Sequence, residues 1–288
     1  MQPAYSPSVR RRRLRTQLLR YRERAGLTTA QVAKELGWPQ VKVSRLETGF
    51  KKSVTSDELD ALLDFYEEDD AEVRASLHEC ARLAKERGWW ARYRNLMSTA
   101  LPDFETEASV IKTYECQVVP GLLQTPDYAE AIFRANLVRS DEEIRERVSA
   151  RLKRQEILNR VDPPAYWVIL DEAALRRVVG SVEVMSQQLR HLTHMAARHN
   201  INIYVLPYSA GAHPVTVGSF VIMDFPDPLD ASIGYVETPI SSLYVEEDHE
   251  LTELNSLFGG AQGSAMSPAH SLQFIKDVTE SLENESSV

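Results

Sequence analysis

The chain has 288 residues, 43% hydrophobic and 26% charged, which suggests two folded domains and excludes a disordered or fibrous protein. Its formal net charge of −9 is unevenly placed. Residues 1–56 carry 13 Lys and Arg against only Glu23, Glu35 and Glu47, a local +10 that leaves −19 for the remainder. Such asymmetry points to nucleic acid or a membrane surface met by one end of the molecule.

The other global features narrow this. No stretch approaches the ~18 apolar residues of a membrane span, and no apolar segment follows the basic run Arg11–Arg15, so no membrane partner is expected. Cys80 and Cys116 sit in no ligand-like pair, which fits a reducing, cytoplasmic setting.

Residues 1–9 read as a disordered, Pro-containing lead. A first helix is expected over Arg10–Ala25, with Leu14, Leu18 and Tyr21 at helical spacing and Gly26 as its stop. Thr28 caps a second helix to Leu36 with Val32, Ala33 and Leu36 inward, and Gly37 makes the turn. Pro39 is placed as the first residue of a third helix, which ends at Gly49.

Thr55–Glu58 (TSDE) is a capping box ahead of the core stripe Leu59, Leu62, Leu63 and Tyr66. An amphipathic helix follows over about 71–87, with Val73, Leu77 and Ala81 inward. Gly88, Trp89 and Trp90 close this helical stretch.

From residue 101 the texture becomes mixed. Strand character runs through Ser109–Val119, a helix capped by Thr125–Pro126 extends to Leu137, and SDEE at 140–143 opens a long helix to Asn159. Further strands are expected at Tyr166–Leu170, Ile201–Leu206, Ser219–Phe225, Ser232–Glu237 and Ser242–Val245, interrupted by a helix over 182–198. Two helices close the chain, the second starting at Ser267–Pro268.

The fold class expected is an all-α, five-helix domain at 10–70, a helical connector at 71–100, and a mixed α+β domain at 101–285.

Two short helices joined through Leu36-Gly37-Trp38 have a specific use. In a helix-turn-helix the second helix enters the major groove and its leading side chains meet base edges. Ala33 lets the helices approach, while Val43 and Leu46, three apart, face the core. Gln40, Val41, Ser44 and Arg45 then point outward. Glutamine pairs with adenine, arginine with guanine, and valine meets a thymine methyl. Lys42 suits a phosphate, as do Arg11, Arg12 and Arg13 of the basic run, whose charge opposes the dipole at a helix N-terminus.

Leu14–Tyr66 resembles the XRE-type helix-turn-helix domain. Arg22, Ala25-Gly26-Leu27-Thr28, Val32-Ala33, Leu36-Gly37, Val43–Glu47 and Gly49 carry the likeness. The resemblance implies a five-helix DNA-binding fold in which Glu47 pairs with Arg22 and locks the third helix to the first. Thr29 stands where such domains commonly carry a phosphate-contacting glutamine, and its hydroxyl, of shorter reach, can still donate to a phosphate.

Residues 101–285 resemble the domain of unknown function that follows XRE-type domains in actinobacterial regulators. Tyr114–Ile132, Arg151–Leu158, VILDEAALRRVVG and INIYVLPYSAGAH carry this second likeness. That family is described as similar to the antitoxin half of toxin–antitoxin pairs, often encoded beside a small partner protein.

The turn Val119–Thr125, with Gly121, Gln124 and Thr125, can hold an anion or peptide carbonyl, or simply cap a helix with an apolar lead-in. Arg151, Arg154 and Gln155 share one helical face, where they can bind a carboxylate or phosphate or pair with local acids. His191, His194 and His199 lack a completing ligand, so no metal is expected. Glu172 and His213 form no fixed acid–base pair, and Glu172 fits the first turn of a helix.

With no Walker loop, GxGxxG or GxSxG, no cofactor and no enzymatic activity are expected. The reading is a homodimeric DNA-binding transcriptional regulator with a ligand- or partner-binding C-terminal domain. The alternatives are an antitoxin-like protein-binding module with secondary DNA binding and, less strongly, an enzyme.

Overall fold

A computed structural model describes residues 6–48, 54–86, 90, 93, 100–136, 140–216, 218–238 and 240–285. Gly49, Gly88, Trp89 and Leu137 lie outside these residues. The chain divides into two compact units, the first comprising Met1–Arg92 with Pro102–Glu107 and Asp227–Asp230, the second the rest.

The first unit is helical: α1 (Pro7–Arg24), α2 (Thr29–Glu35), α3 (Gln40–Thr48), α4 (Ser56–Phe65), α5 (Ala71–Leu83) and most of α6 (Leu101–Glu107). Local chemistry sets the boundaries. Thr28 and Thr55 each accept from the amide three residues on, and the Gln31 and Glu58 side chains accept in return from the Thr28 and Thr55 amides. Asp70 caps α5. The core joins Leu14 and Leu18 of α1 to Val32 and Ala33, Val43 and Leu46, Leu59, Leu62 and Leu63, and Leu77 and Ala81.

Three expectations change here. Helix α1 starts at Pro7, capped by Ser6, and Pro7, Ser8 and Val9 are buried, so the disordered lead does not reach residue 9. Helix α5 is the fifth helix of the bundle and not part of a connector, because Leu77 and Ala81 belong to the same core. Val73, in its first turn, is exposed.

The second unit is built on a six-stranded sheet of order β3-β2-β1-β4-β5-β6. The strands are β1 (Val110–Glu115), β2 (Ala165–Asp171), β3 (Ile201–Leu206), β4 (Phe220–Asp224), β5 (Ile233–Glu237) and β6 (Ser242–Val245). The first three run parallel and β4–β6 continue antiparallel. Parallel neighbours need long crossovers. Helices α7 (Pro126–Ala135) and α8 (Asp141–Gln155) make the first, and α9 (Glu172–Arg176) and α10 (Val182–Met195) the second.

Helices α11 (Asp248–Ser264) and α12 (Pro268–Glu285) follow the sheet. Phe258 and Ala261 of α11 pack on Tyr114, Ile169, Phe220 and Ile222. The architecture is an all-α N-terminal region followed by an α+β domain.

Candidate DNA interface

Helix α3 is presented by a tight turn. Gly37 adopts φ +65°, the Gly37 amide donates to Lys34 O at 3.3 Å, and the Trp38 amide donates to Ala33 O at 2.8 Å. Only glycine takes this left-handed conformation cheaply. Pro39 lies one position before the helix, not within it, and its carbonyl accepts from the Lys42 amide at 2.8 Å.

Ala33, Val43 and Leu46 are buried at the α2–α3 contact. Gln40, Val41 and Arg45 are exposed, Val41 to 58%, and Ser44 is half-buried. Val41 thus stands open to solvent at the head of α3 beside Gln40. Gln40 Nε2 donates to Thr29 Oγ1 at 3.3 Å, tying together the leading ends of α2 and α3.

The lock between α1 and α3 has the implied partners. Arg22 Nε donates to both Glu47 carboxylate oxygens, at 2.8 and 2.9 Å, and its Nη1 donates to Leu27 O at 2.8 Å. The hydrogen bond to Glu47 raises the Arg22 pKa against the opposing effect of burial. Burial and the Glu47 charge push the nearby Tyr66 phenol up to about 12.

Three of the expected phosphate contacts, Lys42, Arg11 and Arg13, have partners within the first unit. Lys42 Nζ lies 3.1 Å from Glu58 and 3.6 Å from the centre of the Trp38 ring, so its charge braces α3 against α4. In the basic run, Arg13 is buried with Nε 2.7 Å from Asp230 Oδ1 and Nη2 2.5 Å from both Asp230 and Asp227. Burial opposes the Arg13 charge, but its hydrogen bonds to Asp230 and Asp227 outweigh that and raise its pKa.

Arg10 pairs with Glu107 and Asp230. Arg11 donates to Ala84 O at 2.9 Å and Ser8 Oγ at 2.8 Å, and Arg12 is half-buried. Negative charge from distant sequence offsets the helix dipole at this N-terminus. Glu107 accepts from the Ser6 amide and Asp103 from the Ser8 amide, each at 2.8 Å. Nothing near residue 10 signals those acids.

In the second unit the structure brings Gly121, Gln124, Thr125, Arg151 and Gln155 together. Arg151 Nη1 donates to Gln124 Oε1 at 2.7 Å, and Gln155 Nε2 donates to Gly121 O and Gln124 O at 2.9 and 2.8 Å. A Cβ at Gly121 would lie 2.4 Å from Arg151 Nη1, so a larger residue there would have to displace the Arg151 guanidinium. The Thr125 amide donates to Gln188 Oε1 at 2.7 Å, and Gln188 Nε2 returns a bond to Leu123 O.

The turn amides and carbonyls are therefore used to fasten the turn to α8 and α10. Buried Gln188 was not singled out from sequence. Its one signal is a polar residue inside the apolar stripe of Met185, Leu189 and Leu192.

Arg154, half-buried on α8, lies near Glu115 at the end of β1. Glu115 keeps accessible surface yet is densely surrounded, and burial pushes its pKa from 4.5 up to about 7 against Ser219, Arg154 and Arg151. A carboxyl whose folded pKa is raised contributes fully below its unfolded pKa, and that contribution is lost as pH rises through about 7. Glu115→Gln is expected to stabilise the protein at pH 8 by on the order of 1–3 kcal/mol and hardly at pH 4, read by thermal unfolding. Equal effects at both pH values would contradict the raised pKa.

Glu172 is engaged through both oxygens, with Arg176 Nε at 2.5 Å and the Tyr208 amide at 2.8 Å, while the His213 ring lies 6.1 Å from that of Tyr114. His191 and His194 lie on α10, and burial lowers the His191 pKa. Among the described residues no three metal-ligating side chains gather, and no helix is long and apolar enough to cross a membrane.

Comparison with known proteins finds two family matches along the chain. Residues 13–76 match a helix-turn-helix domain, whose presence points to DNA binding, and residues 98–277 match a domain of unknown function, DUF5753. No curated protein and no solved structure matches the chain. The DUF5753 match covers more than half of the sequence, and the chain belongs to that family, with a helix-turn-helix domain ahead of its family domain.

Proposed function

We propose that the protein is a sequence-specific transcriptional regulator of the XRE type that binds double-stranded DNA as a homodimer in the cytoplasm. The observation that carries this reading is the exposed leading face of α3, with Gln40, Val41 and Arg45 held outward by a buried Val43–Leu46 anchor and the Arg22–Glu47 pair. One recognition helix reads few base pairs, so two copies on half-sites about 34 Å apart give useful selectivity. The −19 borne by residues 57–288 opposes indiscriminate contact with DNA and favours approach by the basic end.

In this reading the C-terminal domain senses a ligand or holds a small partner protein, and no catalysis is assigned to it. The antitoxin-like likeness bears on that partner alone.

Arg45→Ala is expected to cost about 1–3 kcal/mol on the specific site and to relax preference at one base pair, with folding stability unchanged. Competition binding against a panel of single-base operator variants reads this out. An equal loss on every sequence would remove Arg45 from base recognition.

A further inference from the structure

The helix-turn-helix match ends at residue 76, but the unit that contains it does not. Two segments from much later in the chain belong to that unit, Pro102–Glu107 and Asp227–Asp230. Both hold the leading half of α1. The Ser6 and Ser8 amides donate to the Glu107 and Asp103 carboxylates of α6. Arg10 pairs with Glu107 and Asp230, and Arg13 with Asp227 and Asp230, and the Asp230 carboxylate is buried.

The segment Asp227–Asp230 is a turn closed on itself. The Leu229 amide donates to Asp227 Oδ1 and the Asp230 amide to Asp227 O, each at 2.9 Å. It joins β4 to β5, whose strands pair as far as Met223 with Ile233. Asp224 pins the stem. Asp224 O accepts from the Ser109 amide at 2.9 Å, its Oδ1 accepts from Ser232 Oγ at 2.5 Å, and Lys112 Nζ lies 3.1 Å from its Oδ2. A well-fastened hairpin of the sheet therefore carries the carboxylates that neutralise α1.

Helix α1 in turn fixes the recognition helix. Arg22, on the same helix as Arg10 and Arg13, holds Glu47 of α3, and Leu14 and Leu18 share a core with Val43 and Leu46.

We propose that Asp230 is a positioning residue for DNA recognition, and that the β4–β5 hairpin is the route by which the state of the sheet sets the order of α1 and α3. This rests on the reading that α3 meets DNA. An event that loosens β4 or β5 draws Asp230 away from Arg10 and Arg13, and buried guanidinium groups without countercharge are costly. The cost falls on the helix that holds Glu47. Coupling of this kind acts in both directions.

Hydrogen exchange of the full-length protein, read by mass spectrometry, tests this with two changes. One is Ile222→Ala in β4, a fully buried residue whose core cluster lies wholly in the second unit. The other inserts two glycines after Pro226 and two after Asp230, which preserves the turn's own hydrogen bonds and frees it from the strands. Ile222→Ala alone should speed exchange in α1 and α3 about fivefold or more, besides that in the sheet. With the glycines present, the same substitution should leave α1 and α3 within about twofold while still speeding the sheet. Ile222→Val repeats the comparison with a lesion small enough for folding to survive. Upstream DNA should slow exchange in β4 and β5 of the wild type and not of the glycine-bearing protein.

Unchanged α1 and α3 rates in both Ile222 variants, or equal increments with and without the glycines, would overturn the hairpin route. Upstream DNA that fails to bind the wild type would instead remove the DNA reading, and with it the positioning role, while the exchange comparison still decides the route.

Discussion

Replacing Asp230 with Ala is expected to destabilise the N-terminal unit by about 3–5 kcal/mol. Its carboxylate is 2% exposed and receives Arg13 through two hydrogen bonds and Arg10 through one longer contact. Removing it leaves two buried guanidinium groups short of countercharge, and a buried charge without its partner is far costlier than a surface pair lost.

Asp227 supplies the internal control, because it also meets Arg13 at 2.5 Å but is 40% exposed. Asp227→Ala should cost at most about 1 kcal/mol. In a unit of this size, the Asp230 variant should lower the thermal midpoint by well over 10 °C, at roughly 4–8 °C per kcal/mol. Equal shifts for the two variants would show that Asp230 does not neutralise the pair.

Glu47→Ala is the second large effect, about 3 kcal/mol of stability with loss of DNA binding. Glu47 is 7% exposed and holds Arg22, 16% exposed, so the substitution strands a largely buried guanidinium whose remaining described hydrogen bond is to Leu27 O. It also frees α3 from α1, so the recognition face loses its fixed orientation. A local signature accompanies the global one. Part of the Tyr66 shift to about 12 comes from the Glu47 charge, so the phenol of the variant should titrate lower. An unchanged Tyr66 titration and midpoint would contradict the lock. Arg45→Ala should do the opposite, leaving stability intact and altering base preference alone.

Much of this was legible in sequence because it is local chemistry. Thr28–Gln31 and Thr55–Glu58 announce helix starts, Gly37 announces a left-handed turn, and β-branched runs announce β2–β6. The outward set on α3 follows from helical period once Val43 and Leu46 are assigned inward.

What could not be read involves partners far along the chain. The arginines at 10 and 13 look like a free basic arm until Glu107, Asp227 and Asp230 are placed beside them. Lys42 looks free until Glu58 and Trp38 flank it. The Gly121–Thr125 turn shows no sign in sequence of the two hydrogen bonds it makes with Gln188 on another helix. Helix α6 is short and contains Pro102, so neither length nor periodicity marked it.

The most direct test of the central claim is a fluorescence-anisotropy titration of the full-length protein on its own upstream DNA and on random DNA, each at two salt concentrations. The account predicts tight, salt-sensitive binding with a clear preference for the upstream sequence, the preference carried by Arg45 and its neighbours on α3. Binding to the upstream DNA no tighter than to random DNA at either salt concentration would contradict sequence-specific recognition by this helix.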